Sequence, residues 1–376
     1  MMGDSMQIMV VMIAYMLVVI GIGVAFARRA NQSSEDYFLG GRTLGPWVTA
    51  MSAEASDMSG WLLMGLPGVA YWCGISDAAW TAIGLAAGTY INWLITSKRL
   101  RRYSEKANAI TLPEFFSNRF HEQGKVIMTI AALFILIFFT VYAASCLVTC
   151  GKLFSTLFGL GYVPMMIVGA VFVLVYTFIG GFLAESASDF MQAVVMIVAL
   201  LVIVLTGTAA AGGLDAVLDN ARSIPGFLDF FGIATPVTVD GMQQAVNGVP
   251  QFGEAGSYGF LSIVSTLAWG LGYFGMPQVL LRFMAIRHER ELTASRRIAT
   301  VWVLISLAVA VFIGLVGRTL FPTALTTASD AENVFILLST SLLPPVLAGL
   351  VMAGILAATI SSSDSYLLIA ASAFSK

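Results

Sequence analysis

The sequence has 376 residues, of which 58% are hydrophobic and only 11% are charged. Soluble domains carry about a quarter charged residues, so this composition excludes an ordinary soluble fold and predicts an all-α protein that crosses a membrane several times. The net charge of −2 gives no indication of a nucleic-acid partner, and the three cysteines lack the spacing of a zinc site or a disulfide framework.

Nine apolar stretches are long enough to cross a bilayer, which takes about 20 residues of helix. In chain order they are 8–27, 45–72, 76–96, 126–151, 162–183, 188–211, 259–285, 298–320 and 345–375. The first is too long for a signal-peptide core and is interpreted as a span. The polar segment 212–258 is predicted to be a loop, and 328–339 is predicted to be a short surface helix.

Basic residues are concentrated on one side of these spans, and the side rich in lysine and arginine faces the cytoplasm. With the N-terminus outside, 16 of the 19 basic residues fall on the inner side, including Arg282 and Lys376. Lys152, Arg222 and Arg318 then fall outside. The sequence therefore predicts an external N-terminus.

Polar residues interrupt the second stretch near its middle, in SAEASDMSGW at 52–61. Asp57 lies about 18 Å along the helix axis from position 45, near the bilayer midplane. An ionisable residue at that depth costs about 2.5–3.5 kcal/mol on insertion scales, so it is expected to face a cavity. Ser56, Ser59 and Gly60 weaken the helix, and a break would free carbonyls for a cation and N–H groups for an anion. This pattern predicts a binding site, with a packed polar contact as the alternative.

The seventh stretch repeats the interruption in STLAWGLGYFGMPQVL, residues 265–280. Three glycines and Pro277 break an apolar run in which Trp269 and Tyr273 share one helix face. Two interrupted spans in corresponding positions are typical of a transporter with inverted repeats and a site at the midplane. Close packing through small residues is the alternative interpretation.

The ninth stretch ends in GILAATISSSDSYLL, which holds a dense group of hydroxyls around Asp364. Hard oxygen ligands such as those of Ser361 and Ser362 suit a hard cation such as sodium. The alternative is that these serines bond back to carbonyls of their own helix. For Tyr142, a lone polar aromatic residue in the fourth stretch, packing is the default role. The position of Asp189 at the start of the sixth stretch is equally compatible with a functional carboxylate and with a solvated carboxylate at a helix terminus.

These residues together resemble the sodium/solute symporter family. The matching stretches cover nearly the whole chain and are SSEDYFLGGRTLGPWVTAMSA, ASDMSGWLLMGLPGVAY, TLPEFFSNRF, FFTVYAAS, TFIGGFLA and AWGLGYFGMPQVLLRFMA. The resemblance implies a LeuT-like fold with an extra N-terminal span and two inverted repeats of five spans. It also implies uptake of sodium with one organic solute, expected to be L-proline, across the bacterial cytoplasmic membrane.

The resemblance also implies an organisation in four parts. They are an extra span with its inner loop (1–43), the first repeat (44–211), an outer loop (212–258) and an incomplete second repeat with three of five spans (259–376). Family members continue through further spans, so the sequence is expected to lack the C-terminal spans.

The family pattern assigns roles to particular residues. Sodium would bind the carbonyls of Ala55, Met58 and Ala358 and the hydroxyls of Ser361 and Ser362, with Asp57 supporting the site electrostatically. The solute would lie near Ser59, Gly60, Trp61, Tyr142, Trp269, Tyr273 and Pro277. Asp189 would lie on the exit path of the ion, and Arg42 matches an inner-loop position linked to coupling.

Four residues depart from the family pattern, namely Glu54, Glu185, Ala187 and Met276. Met276 stands beside the solute position in place of a glutamine, so another small carboxylate, such as pantothenate or a different amino acid, is the alternative solute. Glu54 shares a helix face with Asp57, and a proton-coupled variant with Glu54 as the carrier is a second alternative. A sensor that binds solute without moving it is a third. No nucleophile–base pair is visible in the sequence, so an enzyme is not expected.

Overall fold

A computed structural model describes residues 2–375, so Lys376, counted above among the inner basic residues, lies outside the described residues. The described chain is almost wholly helical. Its α-helices are α1 (Met2–Ala30), α2 (Ser34–Leu39), α3 (Pro46–Met58), α4 (Gly65–Cys73), α5 (Ile75–Ile95), α6 (Ser97–Lys106), α7 (Leu112–Arg119), α8 (Val126–Phe158), α9 (Tyr162–Ala210), α10 (Leu214–Ser223), α11 (Phe260–Leu267), α12 (Pro277–Ala285), α13 (Leu292–Leu320), α14 (Ala328–Ala331), α15 (Val334–Leu342) and α16 (Pro345–Ser375).

Short elements connect these helices. The 3-10 helices are Gly40–Arg42, Gly60–Leu62, Ala268–Phe274 and Glu289–Glu291. Six two-residue strands form three antiparallel pairs, β1 with β6, β2 with β3 and β4 with β5. They are β1 (Gly232–Ile233), β2 (Thr238–Val239), β3 (Met242–Gln243), β4 (Ala245–Val246), β5 (Val249–Pro250) and β6 (Gly256–Ser257).

The nine predicted spans all fall on helical segments. Within the described chain, six segments are long and apolar enough by themselves to cross a membrane, namely Gly3–Ala30, Val126–Phe158, Tyr162–Ala210, Phe260–Ala285, Glu289–Leu320 and Pro345–Ser375. The second predicted span is divided between α3 and α4, and the third corresponds to α5, which buries polar side chains such as Thr81 and Asn92. The fifth and sixth share α9.

The long helix α9 folds back on itself at Gly181. This residue has φ 53° and ψ −161°, a non-helical conformation that glycine adopts without a Cβ clash. The Tyr176 and Ser188 hydroxyls hydrogen-bond to each other across it. In a straight helix residues 12 apart would be separated by about 18 Å, so the two halves of α9 form a hairpin. The turn lies before the boundary that the sequence predicts at 184–187.

The two interrupted spans run antiparallel. Just before α3, the Leu44 N–H donates to the carbonyl of Ala285, and its carbonyl accepts from the N–H of Arg287, 3.2 and 3.0 Å away. Thus the beginning of α3 lies beside the end of α12. This end of the molecule also holds Arg42 and Arg102, and we call it the basic end.

One predicted element is corrected at the opposite end of the molecule. The segment 212–258, predicted to be a loop between two spans, contains α10 and the three strand pairs. The predicted surface helix at 328–339 is instead two helices, α14 and α15, and α15 is largely buried, with Phe335 inaccessible to solvent. This burial places the segment against α4, where Glu332 backbone atoms pack on Gly68.

The centre of the fold is α16. Every residue from 351 to 366 is buried, although the run includes four serines and Asp364. A helix buried on all sides is expected to be apolar all round, so polar residues at this depth need partners or a ligand. The fold thus places the serine hydroxyls of the ninth span in the middle of the molecule, beside α3.

Candidate functional site

The second span breaks immediately after Met58, where α3 ends. Ser59 has φ 51° and ψ −173°, in the left-handed region of φ, and its hydroxyl accepts a bond from the Trp61 N–H at 3.3 Å. The next residue is Gly60, where an added Cβ would lie 2.6 Å from the Thr149 methyl. The predicted break is confirmed, and glycine is required where the turn approaches α8.

The seventh span breaks in the same way. Its helix ends at Leu267, a 3-10 segment follows, and α12 begins at Pro277. The freed carbonyl of Tyr273 accepts a bond from the Asn92 side chain at 2.8 Å. Gly270 packs so closely on α5 that an added Cβ would lie 2.0 Å from the Gly84 carbonyl oxygen. Small residues and a buried amide therefore stabilise the interrupted backbone.

Oxygen atoms of α3 and α16 meet at the first break. The Ser361 hydroxyl lies 2.8 Å from the carbonyl oxygen of Ala55 and 3.2 Å from that of Ala358. The Ser362 hydroxyl is buried and has no hydrogen-bond partner among residues 2–375. Carbonyl and hydroxyl oxygens in a buried cluster are the donor set of a hard monovalent or divalent cation. By contrast, Ser363 bonds back to its own helix, at 2.6 Å from the Thr359 carbonyl oxygen.

An aromatic chamber of about 50 Å³ lies beside this oxygen cluster. Trp61 and Trp269 form its roof, with ring centroids 4.9 Å apart. Tyr142 stacks on Tyr366 at 4.3 Å. The chamber is lined by Asp57, Met58, Ser59, Trp61, Leu85, Tyr142, Trp269, Gly272, Tyr273 and Met276.

A larger cavity of about 380 Å³ adjoins the chamber on the side away from the basic end. It shares Ser59, Trp61, Tyr142 and Trp269 with the chamber and is further lined by Gly60, Met64, Gly65, Ser145, Cys146, Val148, Thr149, Lys152 and Glu332. We call this larger cavity the vestibule. Of the predicted solute residues, Pro277 lines neither space, because it is buried as the first residue of α12.

Two carboxylates of α3 have partners that the sequence did not indicate. An oxygen of Asp57 accepts a bond from the Gln278 amide at 3.0 Å. An oxygen of Glu54 accepts a bond from the Trp93 indole N–H at 3.2 Å. Glu54 is 2% exposed and does not line the chamber.

A buried ionic cluster lies between the oxygen site and the basic end. The Arg282 guanidinium pairs with Glu185 and lies 3.0 Å from Asp189. It also bonds to the hydroxyls of Ser52 and Ser365, at 2.9 and 2.8 Å. We call these five residues the arginine cluster. Of the two roles left open for Asp189, the solvated carboxylate is thereby wrong, because this side chain is buried and paired with Arg282. Arg282, which the sequence places on the inner side, is itself fully buried.

Arg42 links separate segments of the chain at the basic end through hydrogen bonds. Its guanidinium donates to the carbonyls of Ala109 and Met284, 2.7 and 2.8 Å away, and to the Ser104 hydroxyl at 3.2 Å. It therefore joins the loop before α3 to the end of α12, one of the two broken spans.

This geometry, with two antiparallel broken helices around an oxygen site and an aromatic chamber, agrees with the comparisons. A model of the sodium:solute symporter family matches residues 37–376. The chain belongs to the sodium:solute symporter family. A sodium/proline symporter of Staphylococcus aureus strain USA300 / TCH1516 is 38% identical over 372 residues, which cover 98% of this chain and 68% of that protein. One from strain JH9 gives the same identity and coverage.

A solved structure shares the fold. The substrate-bound, outward-open state of a Na⁺-coupled sialic acid symporter superposes with a TM-score of 0.75 at 18% identity, over 98% of this chain and 74% of that one. The predicted LeuT-like membrane fold is thus confirmed. As a member of this family the protein is a sodium-coupled transporter and not an enzyme.

Proposed function

We propose that this symporter carries L-proline into the bacterial cytoplasm together with sodium. The observation that carries the proposal is the contact between the Ser361 hydroxyl and the Ala55 carbonyl beside the aromatic chamber. Further support is the 38% identity to sodium/proline symporters of Staphylococcus aureus over nearly the whole chain. The basic end faces the cytoplasm in this proposal, which puts the N-terminus outside.

Sodium binds between α3 and α16. Its ligands are the carbonyls of Ala55, Met58 and Ala358 and the hydroxyls of Ser361 and Ser362. Ser362 fits this role because its buried hydroxyl is left without another partner in the described chain. Asp57 does not coordinate the ion but adds negative charge at the same helix break, which favours a cation.

The solute occupies the chamber under the tryptophan pair. The carboxylate of proline meets the backbone N–H groups around Ser59, Gly60 and Trp61, since such groups at a helix break attract anions. The apolar ring packs on Tyr142, Trp269 and Tyr273. Pro277 acts from a distance by starting α12.

Coupling follows from the shared break. Sodium holds the end of α3 in the shape that also presents its N–H groups to the solute, so each ligand favours the same conformation. Moving one charge down 100 mV yields about 2.3 kcal/mol. A tenfold sodium gradient adds about 1.4 kcal/mol, which together supports an accumulation of several hundredfold.

The ion leaves toward the basic end, past Asp189. Arg282 pairs with this carboxylate, so sodium and the guanidinium compete for it during release. Arg42 couples this movement to the loops, because it joins the segment before α3 to the end of α12. The proposed organisation keeps an extra span (1–43), a first repeat (44–211), an outer segment (212–258) and second-repeat helices (259–376).

The test is uptake of labelled proline into proteoliposomes under an imposed gradient. We expect a sodium gradient to drive accumulation with no pH gradient, and unlabelled proline to compete better than pantothenate or other amino acids. If a pH gradient drives uptake in the absence of sodium, the coupling ion is a proton, and Glu54 is its carrier. If another small carboxylate competes more strongly than unlabelled proline, that carboxylate is the solute. Such a result would be in keeping with Met276 in the chamber wall.

A further inference from the structure

A buried arginine lies at the end of the molecule opposite the basic end. Arg318, in the last turn of α13, is 1% exposed. Its guanidinium donates to the carbonyl of Pro322 at 3.0 Å and to the side-chain oxygen of Gln243 at 2.7 Å. Its Nε atom is buried and has no hydrogen-bond partner among residues 2–375. The guanidinium therefore keeps a donor that no described group of the protein uses.

The groups around Arg318 supply no counter-charge. The guanidinium lies over the rings of Tyr71 and Phe252, with its central carbon 4.7 Å from each ring centroid. No carboxylate of the described residues forms an ion pair with it, whereas the similarly buried Arg282 has two such partners. An arginine stays charged at physiological pH, and a buried charge is unfavourable unless it is paired. Ring faces and neutral oxygens provide only part of the compensation, so Arg318 is expected to need an anion from solution.

A cavity of about 280 Å³ lies beside this unpaired guanidinium. Within the described chain, Arg318 is the only charged residue that lines it, and Pro225 and Val249 contribute apolar wall. Asn220 lines the cavity from the end of α10, and its side-chain oxygen lies 3.4 Å from the hydroxyl of Thr319. Its amide nitrogen has no partner in the described chain and is left to donate to a ligand. The cavity thus combines one cation, one amide donor and a neutral wall, which suits an anion.

We propose that this cavity binds a small monovalent anion, chloride in particular, as the counter-ion of Arg318. The anion accepts hydrogen bonds from Nε of Arg318 and from the Asn220 amide. A divalent anion such as sulfate would lose more hydration than one guanidinium and a neutral wall can replace, so a halide fits better. Because Arg318 also bonds to Gln243 of β3, the anion stabilises the packing of the segment 212–258 on α13. This inference is independent of the proposed solute and coupling ion.

The test is thermal unfolding of the purified full chain at constant sodium and ionic strength, with chloride exchanged for the large organic anion gluconate. A ligand that binds only the folded state stabilises it by mass action. We expect chloride at a few times its dissociation constant to raise the unfolding temperature by about 2–4 °C. Bromide is expected to replace chloride, and sulfate is not. Equal unfolding temperatures in chloride and gluconate, or an equal effect of sulfate, overturn the proposal.

A nearly isosteric variant shows where the anion binds. Since the Gln243 oxygen already lies 2.7 Å from the guanidinium, Gln243→Glu supplies the counter-charge from within the chain. We expect this variant in gluconate to be as stable as the unmodified protein in chloride, and to show no further response to chloride. The control Arg222→Gln removes an exposed arginine of α10 that pairs with Asp219, and it is expected to keep the response.

The line width of chloride in NMR gives a readout that does not depend on unfolding. Excess broadening that bromide competes away is expected with the unmodified protein and with Arg222→Gln, and is expected to be absent with Gln243→Glu. A full chloride response in Gln243→Glu, by either measurement, would place the anion elsewhere and overturn the proposal.

Discussion

The hydroxyl of Ser361 lies 2.8 Å from the carbonyl oxygen of Ala55, which is 306 residues earlier in the chain. This contact joins the end of α3 to the middle of α16. Because both atoms are buried oxygens next to a helix break, they belong to the sodium site proposed above.

Removing this hydroxyl is expected to weaken sodium binding. A hydroxyl that bonds to a charged group contributes about 1.5–3 kcal/mol, so Ser361→Ala should raise the sodium half-saturation of uptake about 10- to 150-fold. The matched control is Ser363→Ala, because the Ser363 hydroxyl bonds within its own helix. Equal effects of the two substitutions would mean that Ser361 has no special role with the ion.

The arginine cluster is expected to be necessary for stability. Arg282→Met would leave Glu185 and Asp189 as buried charges without their cation, which costs about 3–5 kcal/mol. The unfolding temperature of this variant in detergent should therefore be much lower than that of the unmodified protein. Arg287→Met, which removes only an exposed pair with Glu291, should change the unfolding temperature little. A stable Arg282→Met protein would show that the two carboxylates are neutral without their partner.

Two glycines of the seventh span provide a matched pair. An added Cβ at Gly270 meets backbone atoms of α5, whereas one at Gly272 meets nothing within 4 Å. Overpacking of this kind costs about 1–3 kcal/mol, so Gly270→Ala should lower the unfolding temperature and slow uptake. Gly272→Ala should leave the unfolding temperature unchanged. Similar unfolding temperatures for both variants would contradict the close approach of α5 to the break.

The tryptophan roof is expected to contribute to solute affinity. Trp269→Ala removes the ring that packs on Trp61, and an aromatic pair contributes about 0.5–1.5 kcal/mol. The half-saturation for proline should therefore rise about 2- to 12-fold, with little change in the sodium half-saturation. Trp269→Phe keeps an aromatic ring and should lose less affinity than Trp269→Ala. An unchanged half-saturation in Trp269→Ala would place the solute elsewhere.

An ion pair at the basic end gives a pH dependence. The Arg102 guanidinium lies 2.7 Å from a carboxylate oxygen of Glu289. Protonation of Glu289 at acid pH removes the negative charge that the guanidinium attracts, so the contribution of the pair to stability is lost. Glu289→Gln should reduce the acid-induced decrease in unfolding temperature. High salt should reduce it as well, because the pair is exposed.

The sequence predicts the helix breaks because they are local. Ser59 and Gly60 follow Met58 directly, and turn-forming residues within an apolar run indicate an interruption wherever the chain folds. The oxygen cluster was likewise indicated by adjacent serines at 361 and 362, although their partners came from family resemblance and not from spacing.

The partners of charged residues could not be predicted in the same way. Arg282 was assigned to the inner side by counting, but its burial depends on Glu185, which is 97 residues away. The contact of Lys152 with Glu332 depends in the same way on how α14 packs against α4. The hairpin turns at the Gly180–Gly181 pair, whereas the polar run ESASD begins only at Glu185, so the predicted boundary at 184–187 lies a few residues too late.

The most direct test of the sodium site is a structure determined with thallium(I) in place of sodium, since its anomalous signal locates a monovalent cation. We expect a signal between the Ala55 carbonyl and the Ser361 hydroxyl that is displaced by excess sodium and absent in Ser361→Ala. A signal confined to the carboxylates of Glu185 and Asp189, or none near the end of α3, would contradict the account.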